Sequence, residues 1–172
     1  PVKRAAAEVP EVNNIFYDEL KRHITTKKLY KIEEAEDFWE LYDKLHTFNS
    51  GFKHNRISLL QWFKDGELYT AYIPETDELI ERKDWRLQFA SKYKTDEWHM
   101  FLPCFCAVVD GECQAVWVED SMRLLGIARF LLDSLSVTKI NYAVPGSEMF
   151  WWNYFGRIWD RKTRDGMRIW GR

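Results

Sequence analysis

The sequence predicts a mixed α/β (α+β) fold, with a mostly antiparallel central sheet and helices on both faces. The run 104–118 places apolar side chains on both sides of a hairpin whose turn is Asp110-Gly111. A sheet covered by helices on both faces has that pattern, and a half-solvated meander does not. Strand-like and helix-like periods also alternate along the chain. Of the 172 residues, 46% are hydrophobic, enough to bury the core of one domain.

The elements follow in order. Val12, Ile15, Phe16, Leu20 and Ile24 recur at helical spacing, so 11–24 reads as an amphipathic helix. Leu29-Tyr30-Lys31-Ile32 reads as a strand. Acidic residues at 33, 34, 36 and 37 then suit a helix N-terminus, and Phe38, Leu41, Tyr42, Leu45 and Phe48 give that helix its apolar side as far as Asn49-Ser50-Gly51. Segment 57–63 reads as a short helix ended by Gly66, the alternative being a strand paired with 68–73. Segment 74–98 is polar, with an expected helix at 77–92, and reads as an insertion. A two-residue turn at Asp110-Gly111 sets Val108 opposite Cys113, Cys106 opposite Ala115 and Cys104 opposite Trp117. One face then carries Cys104, Cys106, Val108, Cys113, Ala115 and Trp117, and the other Phe105, Ala107, Val109, Glu112, Gln114, Val116 and Val118. A loop leads into a helix ending near Leu135, and 137–144 is a β-prone stretch stopped by Pro145-Gly146. Ser147 is placed to cap a helix through Met149, Trp151, Trp152 and Phe155, and a last hairpin around Asp165-Gly166 pairs 157–164 with 167–170.

Charge excludes little. The chain has 25 basic and 27 acidic residues, a net charge of -2, so no global field points to a nucleic acid or a membrane. From 157 to 172, six basic residues against two acidic give a local +4 with Trp159 and Trp170 interleaved. Such a hairpin suits phosphate or stacked bases, although a solvated edge with inward Trp residues is the preferred reading. No window approaches 18 consecutive apolar residues and the first residues lack a secretory apolar region, so a soluble cytoplasmic protein is expected. Cys104, Cys106 and Cys113 lie within ten residues of one another, an odd number that argues for a reducing compartment. With a fourth ligand they have the makings of a zinc site, but Cys-x-Cys on an apolar strand reads better as core, and no metal is expected.

One spacing points to a ligand. Arg123-x-x-Gly126-x-Ala128 falls between the second hairpin strand and an apolar helix. A Gly there lets backbone approach a phosphate, and the free N–H groups and dipole of the helix start favour an anion. This arrangement resembles the acyl-CoA pyrophosphate loop, Gln/Arg-x-x-Gly-x-Gly/Ala, of the GNAT superfamily of N-acetyltransferases.

The resemblance implies an acyl-CoA N-acyltransferase-like domain over 29–172, with 1–28 as a helical extension. It implies acetyl-CoA as co-substrate and an amine on a protein or small molecule as acceptor. By the same resemblance the backbone of Leu124, Leu125, Gly126, Ile127 and Ala128 holds the pyrophosphate with Arg123 beside it, and the strand at Val116 and Val118 bonds the pantetheine arm. Glu112, eleven residues ahead of Arg123, is the candidate general base, against a plain solvated role beside the turn; Glu119 and Asp120 are alternatives. The family commonly protonates the leaving thiolate with a Tyr after the penultimate strand. Alignment on Gly156 puts Trp152 at that position, so the candidate acid is Tyr154, against a packing role.

Two further functional classes stay open: a non-catalytic binding or structural protein on the same scaffold, and a phage-type nucleic-acid-modifying relative contacting DNA through Arg161, Lys162 and Arg164. Phe150, Trp151, Trp152, Tyr154 and Phe155 make their helix apolar nearly all round. The sequence thus calls for a cover, whether the N-terminal helix, a second copy in a homodimer, or the acceptor.

Overall fold

Apolar residues on both sides of the central strands split the core into two layers. The computed structural model describes residues 22–48, 56–74, 100–119, 122–140, 146–156, 160–162 and 168–171. Its elements are β1 (Lys28–Lys31), α1 (Ala35–Phe48), α2 (Arg56–Lys64), β2 (Leu68–Ile73), β3 (Met100–Phe101), β4 (Cys104–Val109), β5 (Glu112–Val118), α3 (Ile127–Ser134), β6 (Lys139–Ile140), α4 (Glu148–Phe155), β7 (Asp160–Lys162) and β8 (Arg168–Gly171). The strands form one mixed sheet in the order β1-β2-β4-β5-β6-β8-β7, with β3 beside β2. Only the β5–β6 pairing is parallel; every other described pair is antiparallel. The expected helix at 11–24 lies outside the described residues up to 21, and His23 leads into a short 3-10 turn at Ile24–Thr26. The break at 49–51, the insertion helix at 77–92, strand residues 141–144 and the Asp165-Gly166 turn also lie outside them. Among the described residues no helix is long and apolar enough to cross a membrane.

On one face α1 and α2 cover the sheet. Phe38, Leu41 and Leu45, on one side of α1, are buried with Leu59, Leu68, Phe101 and Phe105. Helix α2 ends as the sequence predicts: Gly66 takes φ 71°, its N–H donates to Phe63 O, and Glu67 N–H donates to Trp62 O. That pair of bonds is a Schellman ending, which favours Gly at the left-handed position. On the other face Ile127, Leu131 and Leu132 of α3 and Trp151, Tyr154 and Phe155 of α4 pack on Cys104, Cys106 and Cys113. Helix α4 is less apolar around its circumference than the sequence implied, since Glu148, Met149 and Asn153 face solvent. Ser147 makes no side-chain cap; Gly146 N–H donates to Glu148 Oε2 at 2.9 Å instead.

The central hairpin keeps its predicted turn and loses its predicted register. Val109 pairs with Glu112 and Val108 with Cys113, as a two-residue turn requires. Beyond them the ladder shifts, so that Ala107 faces Ala115, Cys106 faces Val116 and Cys104 faces Val118. One extra residue on β5, Gln114, is a β-bulge, and it exchanges the faces of every later side chain. Val116 and Val118 therefore pack with the cysteines, while Ala115 and Trp117 join Phe105 on the α1–α2 side.

A second irregularity separates β3 from β4. Pro103 has no N–H for the ladder, and Cys104 N–H turns back to Leu102 O at 2.8 Å. Thr70 repairs the break from β2, its buried hydroxyl donating to Cys104 O at 2.7 Å. Thr70→Val keeps the shape and leaves that carbonyl without its donor. Urea unfolding is expected to register a loss of about 1–3 kcal/mol, the cost of an unsatisfied buried acceptor.

The three thiols are buried in this layer and unbridged. Burial pushes the Cys104 thiol up to about 11 from its ordinary 9.0. The hydrogen bond with Cys113, and then burial, hold Cys106 well above its ordinary value. Both therefore favour the protonated form in the folded chain. Their contribution to stability is fully present below pH of about 9 and is lost as pH rises through about 11. Chemical denaturation from pH 8 to 11 is expected to show stability falling over that window, with thiol labelling at pH 8 slow until the chain unfolds.

Candidate functional site

Strand β5 lies between β4 and β6. Pairing with β4 runs from Glu112 to Val118, whereas pairing with β6 covers only Glu112↔Lys139 and Cys113↔Ile140 among the described residues. Past that point the chain between Gln114 and Val118 borders a cleft of about 800 Å³. Its other walls are the segment 122–129 and α4, through Ser147, Phe150 and Trp151.

The loop after β5 folds back on the strand. Glu119 N–H donates to Pro103 O at 3.0 Å, Met122 N–H to Glu119 O at 2.9 Å, and Arg123 Nε to Val118 O at 2.9 Å. Leu124 adopts φ 67° with its side chain fully exposed, and Gly126 adopts φ 79°. A left-handed non-Gly residue costs about 1–3 kcal/mol, and Asp110 and Ser136 take the same region elsewhere. Helix α3 then starts with no side-chain cap at Gly126, and Phe130 N–H makes the bond back to Gly126 O. The N–H groups ahead of Phe130 have no acceptor within the helix, and its dipole adds positive potential there. A Cβ built at Gly126 meets nothing within 4 Å. The backbone at this point faces open space, as it does at Gly146 and Gly156.

Of the residues expected to hold a cofactor, Val116, Val118, Arg123, Leu124, Gly126, Ile127 and Ala128 line the cleft, while Leu125 packs against the core. The charged side chains among the described lining residues are Arg123 and Arg129, so the cleft favours an anion. Arg129 went unnoticed in the sequence, although its place three residues after the motif Gly is the signal that finds it. Its guanidinium lies 5.1 Å from the centre of the Tyr154 ring.

The two candidate catalytic residues lie beside the cleft, outside its lining. Glu112 Oε2 is 3.1 Å from Lys139 Nζ, and Gln114 Nε2 donates to Glu112 Oε1 at 3.4 Å and to Glu112 O at 3.3 Å. The neighbours of Glu112 in the chain and across that contact, Cys113 and Gln114, do line the cleft. Tyr154 is buried, and its hydroxyl donates to Asp133 Oδ1 at 2.7 Å, tying α4 to α3. Glu119 is buried rather than solvated, and Asp120 lies outside the described residues.

Sequence reasoning also missed Trp62 and Trp117, which line the cleft from the α1–α2 side. The unshifted register puts Trp117 on the cysteine face, and Trp62 is indistinguishable from core on a short helix.

Tyr154→Phe removes the hydroxyl and keeps the ring against Arg129. Because Asp133 is exposed, unfolding free energy is expected to fall by about 1 kcal/mol in urea, one net hydrogen bond. A double-mutant cycle with Asp133→Asn should show the two losses overlapping. No family model and no curated protein matches the chain.

Proposed function

We propose that this protein is an acyl-CoA-dependent N-acyltransferase that moves an acetyl group directly from acetyl-CoA to an amine. One observation carries the reading. The loop 123–128 sets Leu124 and Gly126 left-handed at the uncapped start of α3, with open space where a Gly126 side chain would lie, and it opens onto a cleft along β5.

In this reading the backbone of 124–128 holds the pyrophosphate and Arg123 and Arg129 add charge to that end. The pantetheine arm runs along Val116 and Val118, which line the cleft, and is bonded by strand amides as a neighbouring strand would be. Acetyl transfer forms the amide C–N bond and breaks the thioester C–S bond, and the proton leaving nitrogen ends on the thiol. Glu112 is the proposed base, acting at one remove through a water. Tyr154 is the proposed acid only if its hydroxyl leaves Asp133.

A second reading keeps the acyl-CoA site and drops the turnover. It is favoured by the bonding of both Glu112 and Tyr154 to partners outside the cleft lining.

Calorimetric titration of acetyl-CoA is expected to show one site. Gly126→Glu, which adds bulk and charge at a position already strained for any side chain, should weaken binding by more than tenfold while leaving the chain folded. Absence of heat at high micromolar ligand, or binding indifferent to the variant, overturns the reading. Thiol release with an amine pool then separates enzyme from binder.

A further inference from the structure

Helix α3 has Gly126 at its start, Arg129 three residues on and Asp133 four beyond that. Residues four apart stand one above the other on a helix, so Arg129 and Asp133 share a side of α3. Tyr154 reaches that side from α4 and touches it at two points. Its hydroxyl donates to Asp133 Oδ1 at 2.7 Å, and its ring centre lies 5.1 Å from the Arg129 guanidinium. A helical turn rises about 5.4 Å, so one phenol ring spans the two side chains. The ring is held in turn by its own helix: Trp151 and Phe155 meet it edge-on, with centres 6.3 and 5.0 Å away, and Phe150 lies nearly parallel at 6.1 Å. Tyr154 is buried, whereas Arg129 is exposed and lines the cleft together with Phe150 and Trp151.

Contact with a ring engages the flat face of a guanidinium and leaves the N–H donors at its edge. Those donors form the fork that takes two oxygens of a phosphate. An arginine already laid against a buried ring gives up less rotamer freedom when it binds, so more of the contact appears as affinity. Arg129 stands one turn beyond Gly126, beside a helix start whose N–H groups and dipole favour an anion. Backbone and side-chain fork together suit the two adjacent phosphates of a diphosphate.

We infer that Tyr154 is a positioning residue of the cleft that acts through Arg129: its ring sets the guanidinium edge toward the ligand's diphosphate, and its bond to Asp133 keeps the ring in register with α3. The inference rests on the acyl-CoA reading of the same cleft. It gives Tyr154 a part in binding while its hydroxyl stays on Asp133, and it makes Arg129 a side chain that selects a phosphorylated thioester over one ending in bare pantetheine.

The test is calorimetry on the whole chain with two probes, acetyl-CoA and inorganic pyrophosphate, in buffer free of divalent cations. Arg129→Met is expected to weaken both by about tenfold, and Arg129→Lys to recover only part of that, since an ammonium keeps the charge and loses the fork. Tyr154→Leu should weaken both by about threefold, the size of a cation–π contact, and should add nothing in the Arg129→Met background. Tyr154→Phe keeps the ring and should stay within about twofold of the native chain. Because Tyr154 is buried, a measurement on the native chain stands beside these variants. The ring current of Tyr154 should move the Arg129 Cδ protons upfield of their free position, the signal being assigned by its loss in Arg129→Met, and pyrophosphate should leave them there. Acetyl-CoA binding that Gly126→Glu weakens and Arg129→Met does not, or Arg129 protons at the free position, overturns the positioning role alone. Pyrophosphate binding that depends on Arg129 while acetyl-CoA fails to bind keeps the Arg129–Tyr154 pair and rejects the acyl-CoA reading. Binding of neither probe rejects both.

Discussion

Everything at the cleft depends on the crossover between β5 and β6. Strand β5 pairs with β4 over its whole length, and Glu112 and Cys113 at its start pair in parallel with Lys139 and Ile140. Parallel strands need a crossover, and here the crossover is α3, whose N-terminus sits at the far end of β5. One topological fact therefore places the side of β5 and a helix start without a side-chain cap at the same cleft.

The Gln114 bulge decides which side chains border the opening. Upstream of it, Cys113 faces the α3–α4 layer; downstream, Val116 and Val118 take over that side and Trp117 turns to the other. The cleft thereby gets an aliphatic floor along the strand and an aromatic wall across it. Cys104, Cys106 and Cys113 fill the layer under α3, where small side chains let the helix pack close. The raised pKa values of Cys104 and Cys106 fit a packing role, since a protonated thiol in apolar surroundings is a poor nucleophile.

Local signals were legible in the sequence and non-local ones were not. Asp110-Gly111 takes φ 50° and 76°, and the Gly66 ending of α2 follows from residue chemistry within six positions. Arg123-x-x-Gly126 likewise marks a loop whose left-handed Gly the structure contains. Gln114 carried no such mark, because both faces of β5 are apolar and a period of two cannot say which face a shifted register selects. The Glu112–Lys139 ion pair arises from a parallel pairing 27 residues apart, and the Tyr154–Asp133 bond joins two helices 21 residues apart. Candidate catalytic residues were chosen from spacing along the chain, whereas their partners were set by these crossings.

The strained loop is affordable because both of its ends are anchored. Leu124 in the left-handed region costs about 1–3 kcal/mol, and the uncapped helix start adds to that. Against this, Ile127, Leu131 and Leu132 bury one face of α3, each contributing roughly 1.5–3 kcal/mol, and Arg123 pins the other end to Val118 O. The loop is thus held in shape by packing within the chain itself. An anion bound there would require little further ordering of the backbone, which leaves more of the interaction energy as affinity.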